Sequence, residues 1–103
     1  TIVPLKDVDY VKAEDDYVAI RSGGRDHLKQ QTITSLEEQL DPVRFVRIHR
    51  SYLVNLDRLA RLETGPGGAP LAVLHDGTRL PVSRTGAARL KQVLDGGAVG
   101  GGA

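Results

Sequence analysis

Between residues 42 and 94 the chain carries eight arginines and one lysine against three acids. Six basic positions, Arg44, Arg47, His49, Arg50, Arg58 and Arg61, fall within eighteen residues whose only acid is Asp57, and Arg79, Arg84, Arg89 and Lys91 follow. A guanidinium offers five N–H donors in a fixed fork that fits a phosphate or the edge of a guanine, so the bias toward arginine points to recognition of a polyanion. Residues 1 to 41 have the opposite balance, five bases to nine acids, so a net charge of +1 hides halves of −4 and +6, with Asp95 supplying the remaining −1. Such asymmetry suggests a basic side that meets the polyanion and an acidic side turned away, with neutralisation of Glu37 and Glu38 having little effect on binding. Charges scattered over a solvated surface are the plainer reading of the same counts.

Other chemistry finds less support. His27, His49 and His75 lie far apart with no H-x-x-x-H spacing, and there is no cysteine, so neither a zinc site nor a thiol nucleophile is expected. Ser51, His49 and Asp57 can be drawn as a triad, but no G-x-S-x-G elbow presents the serine. The glycine-rich stretches lack G-K-[ST] and do not lead from a strand into a helix, which argues against nucleotide binding. No catalytic residue, metal or cofactor is therefore expected.

The elements that must hold the cations are mostly strands. VDYVKA and YVAIR flank an acidic EDD turn, SGGRD is a second turn, and LAVL and RLPV bracket His75-Asp76-Gly77-Thr78, with GPGGAP as a flexible connection before them. The stretch RFVRIHRSYLVNL, residues 44 to 56, poses a problem. In an unbroken strand Val46, Ile48, Tyr52, Val54 and Leu56 share one face, and Arg50 shares it with them. An unpaired guanidinium in a dry core costs roughly several kcal/mol, so either Arg50 has a buried partner or the strand breaks around His49, Arg50 and Ser51.

Two segments follow helical spacing instead. In TITSLEEQLDP, Ser35 and Glu38 stand at capping-box separation, Ile33, Leu36 and Leu40 form an apolar stripe, and Asp41-Pro42 ends the helix. In SRTGAARLKQVLDGG, Ser83 caps the start, Ala87, Leu90 and Val93 or Leu94 face inward, Gly86 weakens the first turn, and Gly96 ends the helix. Ser83, Arg84 and Thr85 then sit where free N–H groups and the positive end of the helix dipole suit a phosphate.

At 103 residues, with 40% apolar and 26% charged residues, the chain is one domain over residues 1 to 95, followed by a disordered glycine-rich tail over 96 to 103. Only four aromatics are present, so the core is aliphatic. The chain opens apolar, without an initiator Met, which suggests a domain of a longer protein. No apolar run approaches the roughly 20 residues that span a bilayer, and no signal peptide heads the sequence, so a cytoplasmic location is expected.

RFVRIHRSYLVNLDRL, followed by DGTRLPVSRTGAARLKQVL, resembles the LytTR family of DNA-binding domains, the effector modules of many bacterial response regulators. YVKAEDDYVAIRS and TITSLEEQLDPVRF match the family's opening strands and first helix in the same order, so the resemblance covers residues 2 to 94. It implies a mostly β fold, with elongated antiparallel β sheets and two short α-helices between them, and binding of double-stranded DNA by loops that enter the major groove. The base contacts it implies are Tyr17, Arg50, Arg84 and Thr85. Thr85 departs from the longer residue of many members, so it touches a base only by close approach and leaves the charge to Arg84. Arg44, Arg47, His49, Ser51, Ser83, Arg89 and Lys91 are the expected phosphate contacts, whereas Asn55 either supports the site or stabilises the turn after its strand. An upstream receiver or sensor domain and a free domain that is monomeric but paired on DNA complete the expectation. A protein-interaction module that uses the basic face on an acidic partner is the alternative, and an enzyme built around His49 is a weaker third.

Overall fold

The computed structural model of the chain describes residues 4–100, with side chains described through residue 94. Strands β1 (Val8–Ala13), β2 (Val18–Ser22) and β3 (Arg25–Lys29) form a meander. Gly23 and Gly24 close its second turn at φ 59° and 78°, the left-handed values that a two-residue hairpin loop requires. Helix α1 (Ile33–Gln39) follows, then strands β4 (Phe45–His49) and β5 (Tyr52–Asn55), and these five strands form one antiparallel sheet in the order β3-β2-β1-β5-β4. Strands β6 (Leu59–Thr64), β7 (Pro70–Leu74) and β8 (Arg79–Pro81) form a second antiparallel sheet, and helix α2 (Arg84–Gly100) closes the described chain.

The larger sheet is covered on both faces, which explains why neighbouring residues such as Phe45 and Val46, or Leu53 and Val54, are both buried. Alternation sends Phe45 and Leu53 to a core shared with Val8, Val11 and Val18 and with Ile33, Leu36 and Leu40 from the α1 segment. Val46, Ile48 and Val54 point the other way, into a core completed by Ala72, Leu74, Leu80 and Val82 from the second sheet and by Leu90 from α2. Each fully buried aliphatic side chain contributes about 1.5–3 kcal/mol, and the two layers together pack β1, β5 and the edge strand β4 from both sides.

Three expectations need correction. Thr32, not Ser35, caps α1, its hydroxyl accepting the Ser35 N–H at 3.0 Å, because this earlier start brings Ile33 into the buried stripe. The helices do not both lie between the sheets: α1 covers the outer face of the larger sheet, and α2 packs against the opposite face. Nor is α2 short, since it runs for 17 residues through Gly96 to Gly100. Glycine costs about 1 kcal/mol relative to Ala inside a helix but ends one only by turning left-handed. Residues 96 to 100 continue α2, and 101 to 103 of the tail expected over 96 to 103 lie outside the described residues.

Candidate nucleic-acid interface

The strand carrying Arg50 breaks where the charge argument requires. Arg50 and Ser51 form the turn between β4 and β5, and Arg50 is exposed, with no hydrogen bond or ion pair to its side chain among the described residues. Pairing slips just before the turn: Arg47 faces Leu53 but His49 faces Tyr52, so Ile48 is an extra residue in a β-bulge. The bulge lets Ile48 stay buried while its carbonyl turns outward, where it accepts the Ser83 backbone N–H at 2.8 Å and the Ser83 hydroxyl at 3.3 Å.

Ser83 is also the cap of α2, its hydroxyl accepting the Gly86 N–H at 2.9 Å. The serine therefore joins the β4 bulge to the start of the helix. Gly86 makes that junction possible, because a Cβ at this position would lie 1.9 Å from the Ile48 carbonyl oxygen. The sequence pattern treats this glycine as a weak point in the helix, whereas its role is to let two backbones touch. Arg84 and Thr85 are exposed in the first turn, and Arg89 is exposed one turn beyond Thr85 on the same side. Together with Arg50 and His49, Ser83, Thr85 and Arg89 line an open groove of about 410 Å³.

A third loop reaches the same end. The Ala13 N–H donates to the Ser51 carbonyl at 2.8 Å, which ties the β1–β2 turn, and Tyr17 within it, to the Arg50 turn. Tyr17 is 37% exposed, and its carbonyl accepts the Glu14 N–H at 2.9 Å. All four expected base-contacting residues thus stand at one end of the molecule, Tyr17 on the β1–β2 turn, Arg50 on the β4–β5 turn and Arg84 and Thr85 in the first turn of α2. Glu14, Asp15 and Asp16 stand there too, so the acidic half is not simply turned away.

The expected phosphate contacts separate into groups. Ser83 and Arg89 line the groove, and Lys91 is exposed on α2, two turns beyond Arg84 on its side. His49 and Ser51 are occupied in shaping the turn: the His49 Nδ1 accepts the Ser51 N–H at 3.1 Å, and the imidazole meets the Tyr52 ring edge-on with centroids 5.8 Å apart. Arg44 is not brought to the groove, because the whole of β4 separates it from Arg50, roughly 20 Å at the rise of a strand. It faces Asp57 instead, at 3.8 Å.

Arg47 departs furthest from the expectation. Its guanidinium donates to the His49 carbonyl at 3.0 Å, to the Arg50 carbonyl, and to the Glu37 carboxylate at 2.8 Å. Only 16% of its side chain is exposed. It braces the turn from within, and its charge is compensated. Glu37, which the charge distribution seemed to turn away from a polyanion, lines the groove itself.

Pairing also removes part of the apparent basic cluster. Arg58 lies 3.4 Å from Asp9, while Arg61 and Arg79 share Glu63 at 2.7 and 3.5 Å. The Arg61 bond holds the Glu63 carboxyl below its ordinary pKa. Arg50, Arg84 and Arg89 have no such acidic partner among the described residues, so these three cations stay unpaired at the end where Glu14, Asp15 and Asp16 also stand. Asn55 is structural: fully buried, it donates from Nδ2 to the Val8 carbonyl at 2.7 Å and accepts the Asp57 N–H at 3.0 Å. Among the described residues no cluster of His, Asp or Glu could hold a metal ion, and no helix is long and apolar enough to cross a membrane.

The β4–β5 turn and the first turn of α2 bring exposed cations to one end of the β scaffold, with Tyr17 on the neighbouring β1–β2 turn. The chain belongs to the LytTr DNA-binding domain family, whose model matches residues 1–95. It is 31% identical over 93 residues to the sensory transduction protein LytT of Bacillus subtilis, covering 90% of this chain and 39% of that protein. It is 34% identical over 95 residues to the positive alginate biosynthesis regulatory protein of Pseudomonas aeruginosa, covering 90% and 38%. A solved LytTr DNA-binding domain from Bacillus cereus superposes with a TM-score of 0.80 at 25% identity, covering 89% of this chain and 84% of that one. The chain therefore spans under two fifths of the length of these curated relatives.

Proposed function

We propose that this domain reads a specific double-stranded DNA sequence for a bacterial transcriptional regulator, with its three end loops entering the major groove. Arg50 carries the reading. It is the one side chain whose placement conflicts with the strand pattern around it, and it stands exposed at a turn whose backbone is fixed by His49, Arg47 and the neighbouring strand. A guanidinium presented in that way can grip both acceptors of a guanine edge. Tyr17 and Thr85 contact bases from the flanking loops, and Arg84, Arg89 and Lys91 neutralise phosphates, with the Ser83-capped helix start contributing its free N–H groups. The domain acts by binding, without catalysis of its own, in the cytoplasm where its target DNA lies.

In the full-length protein an upstream receiver domain supplies regulation, and pairing of that domain raises the affinity of two otherwise monomeric reading domains for adjacent sites. Titration of a random duplex across a salt series tests the DNA-binding face. Three phosphate contacts predict a log–log slope of about −2.7 per domain. A slope near zero, or binding too weak to titrate at low salt, points instead to an acidic protein as the partner of the basic end.

A further inference from the structure

We propose that Glu37 on α1 is a positioning residue for base reading, acting through Arg47 on the turn that presents Arg50. The inference rests on the assignment of Arg50 as the reading residue. The turn from Arg50 to Ser51 contains no glycine and no residue with positive φ, so the carbonyls of His49 and Arg50 gather toward one donor instead of dispersing into solvent. That donor is the Arg47 guanidinium, and its third nitrogen is held by Glu37 at 2.8 Å. Engagement of all three nitrogens fixes the plane of the fork. Without the carboxylate, Arg47 follows the turn instead of anchoring it to α1, and the direction of the Arg50 side chain is no longer set.

α1 does not depend on Glu37 for its place, since Ile33 and Leu36 are buried beneath it at 6% and 7% exposure. The two ways Glu37 could influence binding have opposite signs. As a plain negative charge beside a DNA-facing groove it repels phosphate, and its removal strengthens binding to every duplex. As a positioning residue it supports discrimination, and its removal weakens binding to the chosen duplex alone.

The test compares the protein with its Glu37→Ala, Glu37→Gln, Arg50→Ala and Glu37→Ala/Arg50→Ala variants. Affinities are measured for a duplex that the protein selects from a random pool and for a scrambled duplex of the same composition, alongside thermal melts. Glu37→Ala is expected to lower the ratio of the two affinities about tenfold with little change in melting temperature, the loss of one charge-assisted hydrogen bond. Glu37→Gln, which keeps an acceptor oxygen, retains most of the ratio. Glu37→Ala has no further effect once Arg50 is already Ala. Tighter binding of Glu37→Ala to both duplexes, or losses that add to those of Arg50→Ala, overturns the role of Glu37. If Arg50→Ala itself leaves the ratio intact, the assignment of Arg50 falls as well; if Arg50→Ala removes discrimination and Glu37→Ala does not, only the present inference falls.

Discussion

Gly86→Ala puts the junction between α2 and β4 to a direct test, because helix propensity and packing predict opposite signs. In an ordinary helix interior the change stabilises by about 0.5–1 kcal/mol. Here the new methyl carbon would sit 1.9 Å from the Ile48 oxygen, 2.4 Å from its carbonyl carbon and 2.7 Å from its Cα, and backbone cannot rotate aside as a flexible side chain can. The helix must retreat by more than about 1 Å to restore ordinary van der Waals contact. That retreat breaks the 2.8 Å bond from Ser83 to Ile48, a loss of about 0.5–1.5 kcal/mol. It also strains the packing of Leu90, which is fully buried, by about 1–3 kcal/mol. Net of the propensity gain, destabilisation is about 0.5–4 kcal/mol, which for a domain of this size lowers the melting temperature by roughly 2–30 °C. Circular dichroism melts and urea titration measure it. An unchanged or raised melting temperature would show that α2 does not approach β4 at the backbone level, and the common frame assigned to Arg50, Thr85 and Arg89 would go with it.

Other substitutions probe different parts of the molecule. Arg50→Ala should weaken binding to a selected duplex by about 1–3 kcal/mol while leaving binding to a scrambled duplex and the melting temperature nearly unchanged; equal losses on both duplexes refute base reading. Asn55→Ala leaves the Val8 carbonyl without its buried donor and should destabilise by roughly 2–4 kcal/mol in urea titration, with no loss of discrimination in the protein that remains folded. Neutralising Asp15 and Asp16 together as Asn should raise affinity for a scrambled duplex roughly three- to tenfold in fluorescence anisotropy, because the acidic turn stands beside Ser51 at the loop end. No change there would place the β1–β2 turn away from the duplex.

Much of this architecture is legible in the residues themselves. Asp-Gly and Gly-Gly turns place two hairpins, Ser83 starts the second helix, and the parity of Val46, Ile48, Tyr52 and Val54 leaves Arg50 either a buried partner or a break in the strand, of which the fold has the break. Features created by contact between distant segments are harder to see. Arg47 reads as one more cation because its partners include a carboxylate on a helix and two carbonyls of a turn, none of which leaves a mark on local periodicity. Its odd parity did offer a hint: it shares a face with Phe45 and therefore looks toward α1. Gly86 carries another, since a glycine placed within a good helical pattern often marks a close backbone approach. Net charge misleads for a related reason. Counting along the chain credits Arg58, Arg61 and Arg79 to a basic face, although each stands beside an acid in the fold.

The pairing of β1 with β5 has a consequence for how the domain comes into being. The β1–β2–β3 meander and the β4–β5 hairpin each form from neighbours in sequence, but Val11 meets Leu53 only when the intervening chain of about forty residues closes. Closing a loop of that length costs about 3 kcal/mol of chain entropy before any packing offsets it. During synthesis the first three strands leave the ribosome several seconds' worth of translation before their partner exists, at roughly 5–20 residues per second. The Tyr17 and Arg50 turns become neighbours only through the same closure. A nascent or partly unfolded chain therefore carries every arginine of the mature domain without the arrangement that brings these turns side by side.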